Sequence, residues 1–188
     1  AAAAKKSSNA LNLLGILLLE NEETGKAEEA FRKALDIKES AFTLRNLAQV
    51  CIRKDDIPAA IAYMSRCCAI SVMREYAEEY IALLVSEGMH DEAWTYYDSL
   101  PDELKDNKRV WQETLPAALS LKKIDFLDKV YSKEPTTVRE GNRVYSDGYF
   151  EYQAMLEARE TGASLDQTLI RKHQEEDTIP YYADFRQG

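Results

Sequence analysis

The residue types able to do chemistry are few and scattered. There are two histidines, His90 and His173, and neither has a cysteine or carboxylate at the spacing a metal site uses. His90 stands beside Asp91 and Glu92 just before a helical pattern, and reads as a solvated turn residue. The three cysteines are Cys51, Cys67 and Cys68. A nucleophilic thiol needs a base beside it, and no histidine lies in that stretch. Neighbours in a helical pattern point different ways, so Cys67 and Cys68 do not pair with each other. All three read as reduced thiols packed in a core, as expected of a cytoplasmic chain. Carboxylates are plentiful (Glu22, Glu23, Glu75, Glu78, Glu79). Glycoside chemistry needs a carboxylate pair about 5–9.5 Å apart across a cleft, whereas these sit as on solvated helix faces. The expectation is a chain with no catalytic residues, no metal and no cofactor, and not an enzyme.

Aromatic residues cluster toward the end. Tyr145, Tyr149 and Tyr152 follow a spacing of four and three and share one helix face. The tail carries Tyr181, Tyr182 and Phe185, which are expected to lie over that face and tie the end down. The alternative is an aromatic platform for sugar or for a neighbouring domain. Arg139 and Glu140, beside Gly141, would then be positioning groups.

The elements that must hold these residues are helices. The 188 residues are 45% hydrophobic and 30% charged, enough for one domain with a real core. With 33 acidic against 24 basic residues the net charge is −9, which argues against nucleic acid as the partner, because phosphate contacts dominate that affinity. The most apolar run, 11–19, is interrupted by Asn12 and Gly15 and is far too short to cross a membrane. The chain opens on four alanines with no initiator Met, so it reads as a fragment, a processed chain or one with added sequence.

A repeat of 33 residues is visible without gaps. Ala27, Ala60 and Ala93 fall in register, as do Phe31, Met64 and Tyr97, and Leu14, Leu47 and Tyr80. Turn residues recur at 21–25, 54–58 and 87–91. Apolar spacing of i, i+3, i+4, i+7 on either side predicts a helix-turn-helix unit repeated. After Pro101 the regularity fades. The spacing predicts helices over 108–121 (bent at Pro116), 124–132, 144–161 and 165–176, the last capped by Ser164 with Gln167, followed by an extended tail from Asp177.

Leu14-Gly15, Ala27, Phe31 and Ala34 resemble the pattern of the tetratricopeptide repeat family, most closely from Ser8 to Ser40. The departures are Leu11 at the family's Trp position and Glu39 at its terminal Pro. The resemblance implies an all-α, right-handed α-solenoid of helix pairs. It places three repeats in 8–106, after a disordered or added N-terminus at 1–7. A degenerate fourth pair follows in 107–135, and capping helices with the aromatic tail occupy 136–188. It also implies a groove lined by the first helix of each pair: Asn12, Ile16 and Glu20, then Phe42, Arg45, Gln49 and Arg53, then Glu75, Glu78 and Ala82. Residues 41–73 carry four basic and two acidic groups, and residues 74–106 two basic and ten acidic groups. Such a polarised groove would orient a segment bearing both signs of charge. The carboxylate clamp of the family is not expected. Asn46 suits it, but Ile16, Glu75 and Glu79 stand where polar or basic groups are required.

Residues 12–20, Val138-Arg-Glu-Gly-Asn142, Ile179-Pro180 and Asp184-Phe-Arg186 also resemble the carboxy-terminal part of large bacterial proteins. In those, a mutarotase-like β-sandwich region precedes a tetratricopeptide tail. The function implied is a non-catalytic scaffold for a protein, a peptide segment or an upstream domain of the same chain, with no nucleic-acid or membrane partner. The alternative is an accessory module of a carbohydrate-active protein.

Overall fold

A computed structural model describes residues 2–132 and 143–177, apart from the side chains of 2–6, 143 and 176. Among these residues the chain is all-helical. The helices are α1 (Ala2–Glu20), α2 (Thr24–Ile37), α3 (Ala41–Arg53), α4 (Ile57–Ile70), α5 (Arg74–Ser86) and α6 (His90–Ser99). They continue as α7 (Asp102–Lys105), α8 (Lys108–Ser120), α9 (Ile124–Tyr131), α10 (Arg143–Thr161) and α11 (Gln167–Glu176). Contacts divide the chain into two compact units, Ala1–Leu83 and Leu84–Gly188.

The turns between paired helices are built alike. Glu22, Asp55 and Gly88 all have positive φ (62°, 59° and 71°), and Lys122 has φ 53°. After each, the next backbone N–H folds back on the helix just ended: Glu23 N on Leu18 O, Asp56 N on Cys51 O, Met89 N on Leu84 O, and Lys123 N on Ala118 O, all at 2.8–2.9 Å. These bonds satisfy carbonyls that a helix end otherwise leaves unpaired. Of the helices that follow these turns only α4 starts on a side-chain cap, Asp56 accepting from Ala59 N; elsewhere Ser40 accepts from Thr43 N before α3 and Asn107 from Arg109 N before α8.

In the first unit α1 packs on α2 and α3 on α4. Gly15 makes the first joint possible: a Cβ there would lie 2.5 Å from the Phe31 ring. Fully buried Phe31 joins Ala27, Leu19, Leu47 and Val50 in one cluster. One repeat on, Ala48 and Met64 hold the corresponding places with Cys51, Ala60 and Leu83. Cys67 packs with Ala41 and Leu44. The three thiols are free and buried. Burial raises the Cys51 thiol, and a hydrogen bond between Cys67 and Cys68, together with burial, raises that of Cys67. Cys51 and Cys67 are thus held protonated, the opposite of what a nucleophile needs.

In the second unit α8 packs against α6, α9 and α10, and α10 against α11. Its core joins Leu115, Leu119, Leu127 and Val130 to Tyr131, Tyr145 and Phe150. Three differences from the sequence-based expectations stand out. Helical backbone begins at Ala2, within the stretch read as disordered or added, and alanines are the strongest helix formers. The short α7, whose first turn follows Pro101, was not foreseen. The last helix starts at Gln167, not Leu165: Asp166 accepts from Thr168 N and Leu169 N at 2.8 and 3.1 Å, and a carboxylate next to the first turn outcompetes the more distant Ser164 hydroxyl.

Candidate partner-binding groove

Helices α1, α3 and α5 carry the expected groove residues, and all those described here lie in the first unit. Arg45 on α3 reaches Glu79 on α5, with Nε 2.8 and 2.9 Å from the two carboxylate oxygens and Nη2 2.6 Å from Oε1. The Glu79 carboxylate raises the Arg45 guanidinium still further above neutrality. Gln49 Nε2 donates to the same carboxylate at 3.4 Å. Both charged side chains are about one-third exposed, at 34% and 29%. Arg53 Nη1 donates to Leu19 O at 2.8 Å, placing a cation at the negative end of α1. Glu78 pairs with Arg74 at 2.9 Å, Ala82 is half-buried, and Phe42 is exposed.

Two residues are placed deeper than a groove lining. Asn12 is buried and donates through Nδ2 to Thr43 Oγ1 at 3.0 Å, joining α1 to α3. Ile16 is half-buried against the Phe31 cluster. The sequence could not separate lining from joint, because one helix face turns gradually from one to the other. The residue it missed is Glu79, which was weighed only as a misfit to a carboxylate clamp. It lies 34 residues from Arg45, one beyond the in-register Glu78, which pairs with Arg74 instead.

The aromatic face is core rather than platform. Tyr145 is fully buried, Tyr152 is buried and Tyr149 half-buried. Their partner is Tyr131 on α9, with ring centroids 5.1 Å from Tyr145, 5.1 Å from Tyr152 and 5.6 Å from Tyr149. Tyr131 donates to Tyr145 O at 3.0 Å and Tyr145 to Val130 O at 3.1 Å, while Tyr152 donates to Asp128. Arg139, Glu140, Gly141, Tyr181, Tyr182 and Phe185 lie outside the described residues. The 4, 3 spacing locates the buried face of α10, and Tyr131 of α9 packs against it.

A cavity of about 1150 Å³ opens in the second unit, lined among others by Trp94, Tyr97, Lys108, Trp111, Lys123 and Phe126. Trp94 meets Phe126 edge-on at 5.5 Å, and Lys123 Nζ lies 5.0 Å above the Trp94 ring. Burial pushes the Tyr97 phenol up to about 12. Glu151, a half-buried carboxyl that burial holds above its usual range, is not among the lining residues. His173 is set between carboxylates that its spacing did not reveal: Nδ1 is 2.7 Å from Asp177 Oδ2, and Nε2 is 3.0 Å from Glu157 Oε2 on α10. Among the described residues no group of three His, Cys, Asp or Glu side chains is arranged to hold a metal ion. None of the described helices is long and apolar enough to cross a membrane.

Residues 8–40 match the family model of the tetratricopeptide repeat. This is the stretch in which the sequence pattern was most complete, and it comprises most of α1, the turn at Glu22, and α2. No curated protein and no solved structure matches the chain. Among the described residues the architecture is all-helical with paired-helix packing suggestive of tandem helical repeats, broadly like the tetratricopeptide repeat that residues 8–40 match, and consistent in general terms with a protein-interaction scaffold.

Proposed function

We propose that the chain is a right-handed α-solenoid whose groove, formed by α1, α3 and α5, holds an extended segment of a partner protein or of a neighbouring domain. In this reading residues 8–106 hold three repeats, 107–135 a degenerate fourth pair and 136–188 the capping end, in a reduced compartment such as the cytoplasm. The observation that carries it is the row Arg45, Gln49 and Glu79. These polar side chains are partly exposed, yet fixed by one another on rigid helices. Groups ordered in advance lose less entropy when a ligand engages them. Arg45 spends Nε and Nη2 on Glu79, and its other guanidinium nitrogen can donate to a ligand's carbonyl or carboxylate. Because Arg45 and Glu79 neutralise each other, the fitting segment carries groups of both signs rather than one dense charge.

The test uses peptides selected by display against the full chain. Arg45→Ala with Gln49→Ala is expected to weaken the selected peptides about tenfold or more, the loss typical of one central contact, with the helical circular dichroism unchanged. Peptides that bind the double variant as tightly as the parent would sink the reading.

A further inference from the structure

The cavity in the second unit has its charges sorted by burial. Lys105, Lys108 and Lys123 are half-buried, whereas Asp98, Asp102, Asp106 and Asp125 are exposed. Water screens exposed charges far more than half-buried ones, so the lysines dominate the field inside. Lys105 is engaged by Asp98 at 3.7 Å. Lys123 Nζ is held over the Trp94 ring rather than by a carboxylate. Lys108 Nζ is shielded from water and has no hydrogen-bond partner among the described residues. An ammonium buried without an acceptor is costly, and its flexible four-carbon stem lets it turn toward one. Much of the remaining lining is flat and apolar: Trp94 and Trp111 belong to it, and Phe126 stands edge-on to Trp94. The volume of about 1150 Å³ is ample, since pockets of about 300–1,000 Å³ take drug-sized molecules.

We infer that this cavity binds a small aromatic monoanion, an aryl carboxylate, with its ring among Trp94, Trp111 and Phe126 and its charge met by Lys108 and Lys123. Over the whole lining, five lysines against four aspartates leave one net positive charge, which matches a single negative one. A denser anion such as phosphate is opposed by the same four carboxylates. A cationic ligand would have to compete for the Trp94 face with Lys123, which already holds it. The site is independent of the groove: Arg45, Gln49 and Glu79 take no part in it.

The chain has two tryptophans and both line the cavity, so their indole N–H resonances report on it directly, and Trp94→Phe assigns them. Naphthoate, titrated into the isotope-labelled full chain at up to millimolar concentration, is expected to shift both. Its neutral carboxamide and the cationic naphthylmethylamine are expected to bind about tenfold or more weakly, because the ring is the same and only the charge differs. This comparison is made on the unaltered chain and needs no variant to fold. Lys108→Gln with Lys123→Gln is expected to weaken naphthoate about tenfold and to leave the carboxamide unchanged, with circular dichroism checking the fold. Arg45→Ala alters neither, because the groove belongs to the first unit. Indole signals that stay fixed at millimolar naphthoate overturn the inference. So does a carboxamide or amine that binds as tightly, or a double lysine variant that binds naphthoate as the parent does.

Discussion

Gly15 and Phe31 set how closely the first two helices pack. Glycine inside a helix costs about 1 kcal/mol relative to alanine, so its place at the middle of α1 needs a reason, and the reason is the Phe31 ring standing where a Cβ would be. Phe31 is fully buried with Leu47 and Val50 behind it, so the ring has little room to retreat. We therefore expect Gly15→Ala to destabilise the protein by about 1–3 kcal/mol, the range for overpacking a filled core. In a Phe31→Leu background the same change becomes neutral or stabilising, because the clash is gone and only the helix preference remains. Urea unfolding of the four proteins in the cycle reads the coupling directly. Additive effects would mean that the ring and the glycine do not meet.

At the scale of elements the recurring unit is the turn as much as the helix. Four helix pairs turn through a residue of positive φ, at Glu22, Asp55, Gly88 and Lys122, and only one of the four is glycine. An L side chain in the left-handed region costs roughly 1–2 kcal/mol. Asp55→Gly and Lys122→Gly should each stabilise by about 0.5–1 kcal/mol once the added chain entropy of glycine is subtracted. Gly88→Ala should destabilise by a similar amount; an added Cβ there meets nothing within 4 Å, so only the backbone is tested. Thermal unfolding that moves all three variants the same way would contradict this. The same turn explains what could be read in advance. The 33-residue register of Ala27, Ala60 and Ala93 depends on close helix contact, which restricts residue type, and so the pairs were legible. The left-handed position restricts backbone rather than side chain, and Glu22, Asp55 and Lys122 fill it without announcing it. Asp166 was overlooked as a cap because Ser164 with Gln167 fits the same rule two residues earlier; which one wins depends on where the chain leaves α10. The Arg45–Glu79 contact was not legible, because it joins two helices and the neighbouring Glu78, which is in register with Arg45, is equally acidic.

Across the whole molecule the shifted ionisable groups divide unevenly between acid and base. On the acid side the shifts oppose one another. Lys54 and Arg32 hold the Glu28 carboxyl below its usual range, and Lys172 does the same for Glu157, while burial holds Glu151 above it. A lowered carboxyl contributes stability that is lost as pH falls, and a raised one returns stability over the same fall. On the basic side the signs agree. Burial raises the phenols of Tyr97, Tyr131 and Tyr152, Tyr97 to about 12 and the other two beyond it. In the unfolded chain a phenol gives up its proton near pH 10. Between about 10 and the folded value the unfolded state therefore holds fewer protons, and stability falls as pH rises. Each such group adds a slope of at most about 1.4 kcal/mol per pH unit, and the raised Tyr76 phenol and the raised Cys51 and Cys67 thiols act in the same direction. The alkaline limb should therefore fall more steeply than the acid limb. Tyr131→Phe costs about 1 kcal/mol near neutrality through the lost bond to Tyr145 O, yet removes up to about 1.4 kcal/mol per pH unit from the alkaline slope, and Tyr131→Phe with Tyr152→Phe removes up to about twice that. Urea midpoints measured from neutral pH upward follow both effects. A slope unchanged by the double variant would show that these phenols ionise inside the folded protein as freely as in water.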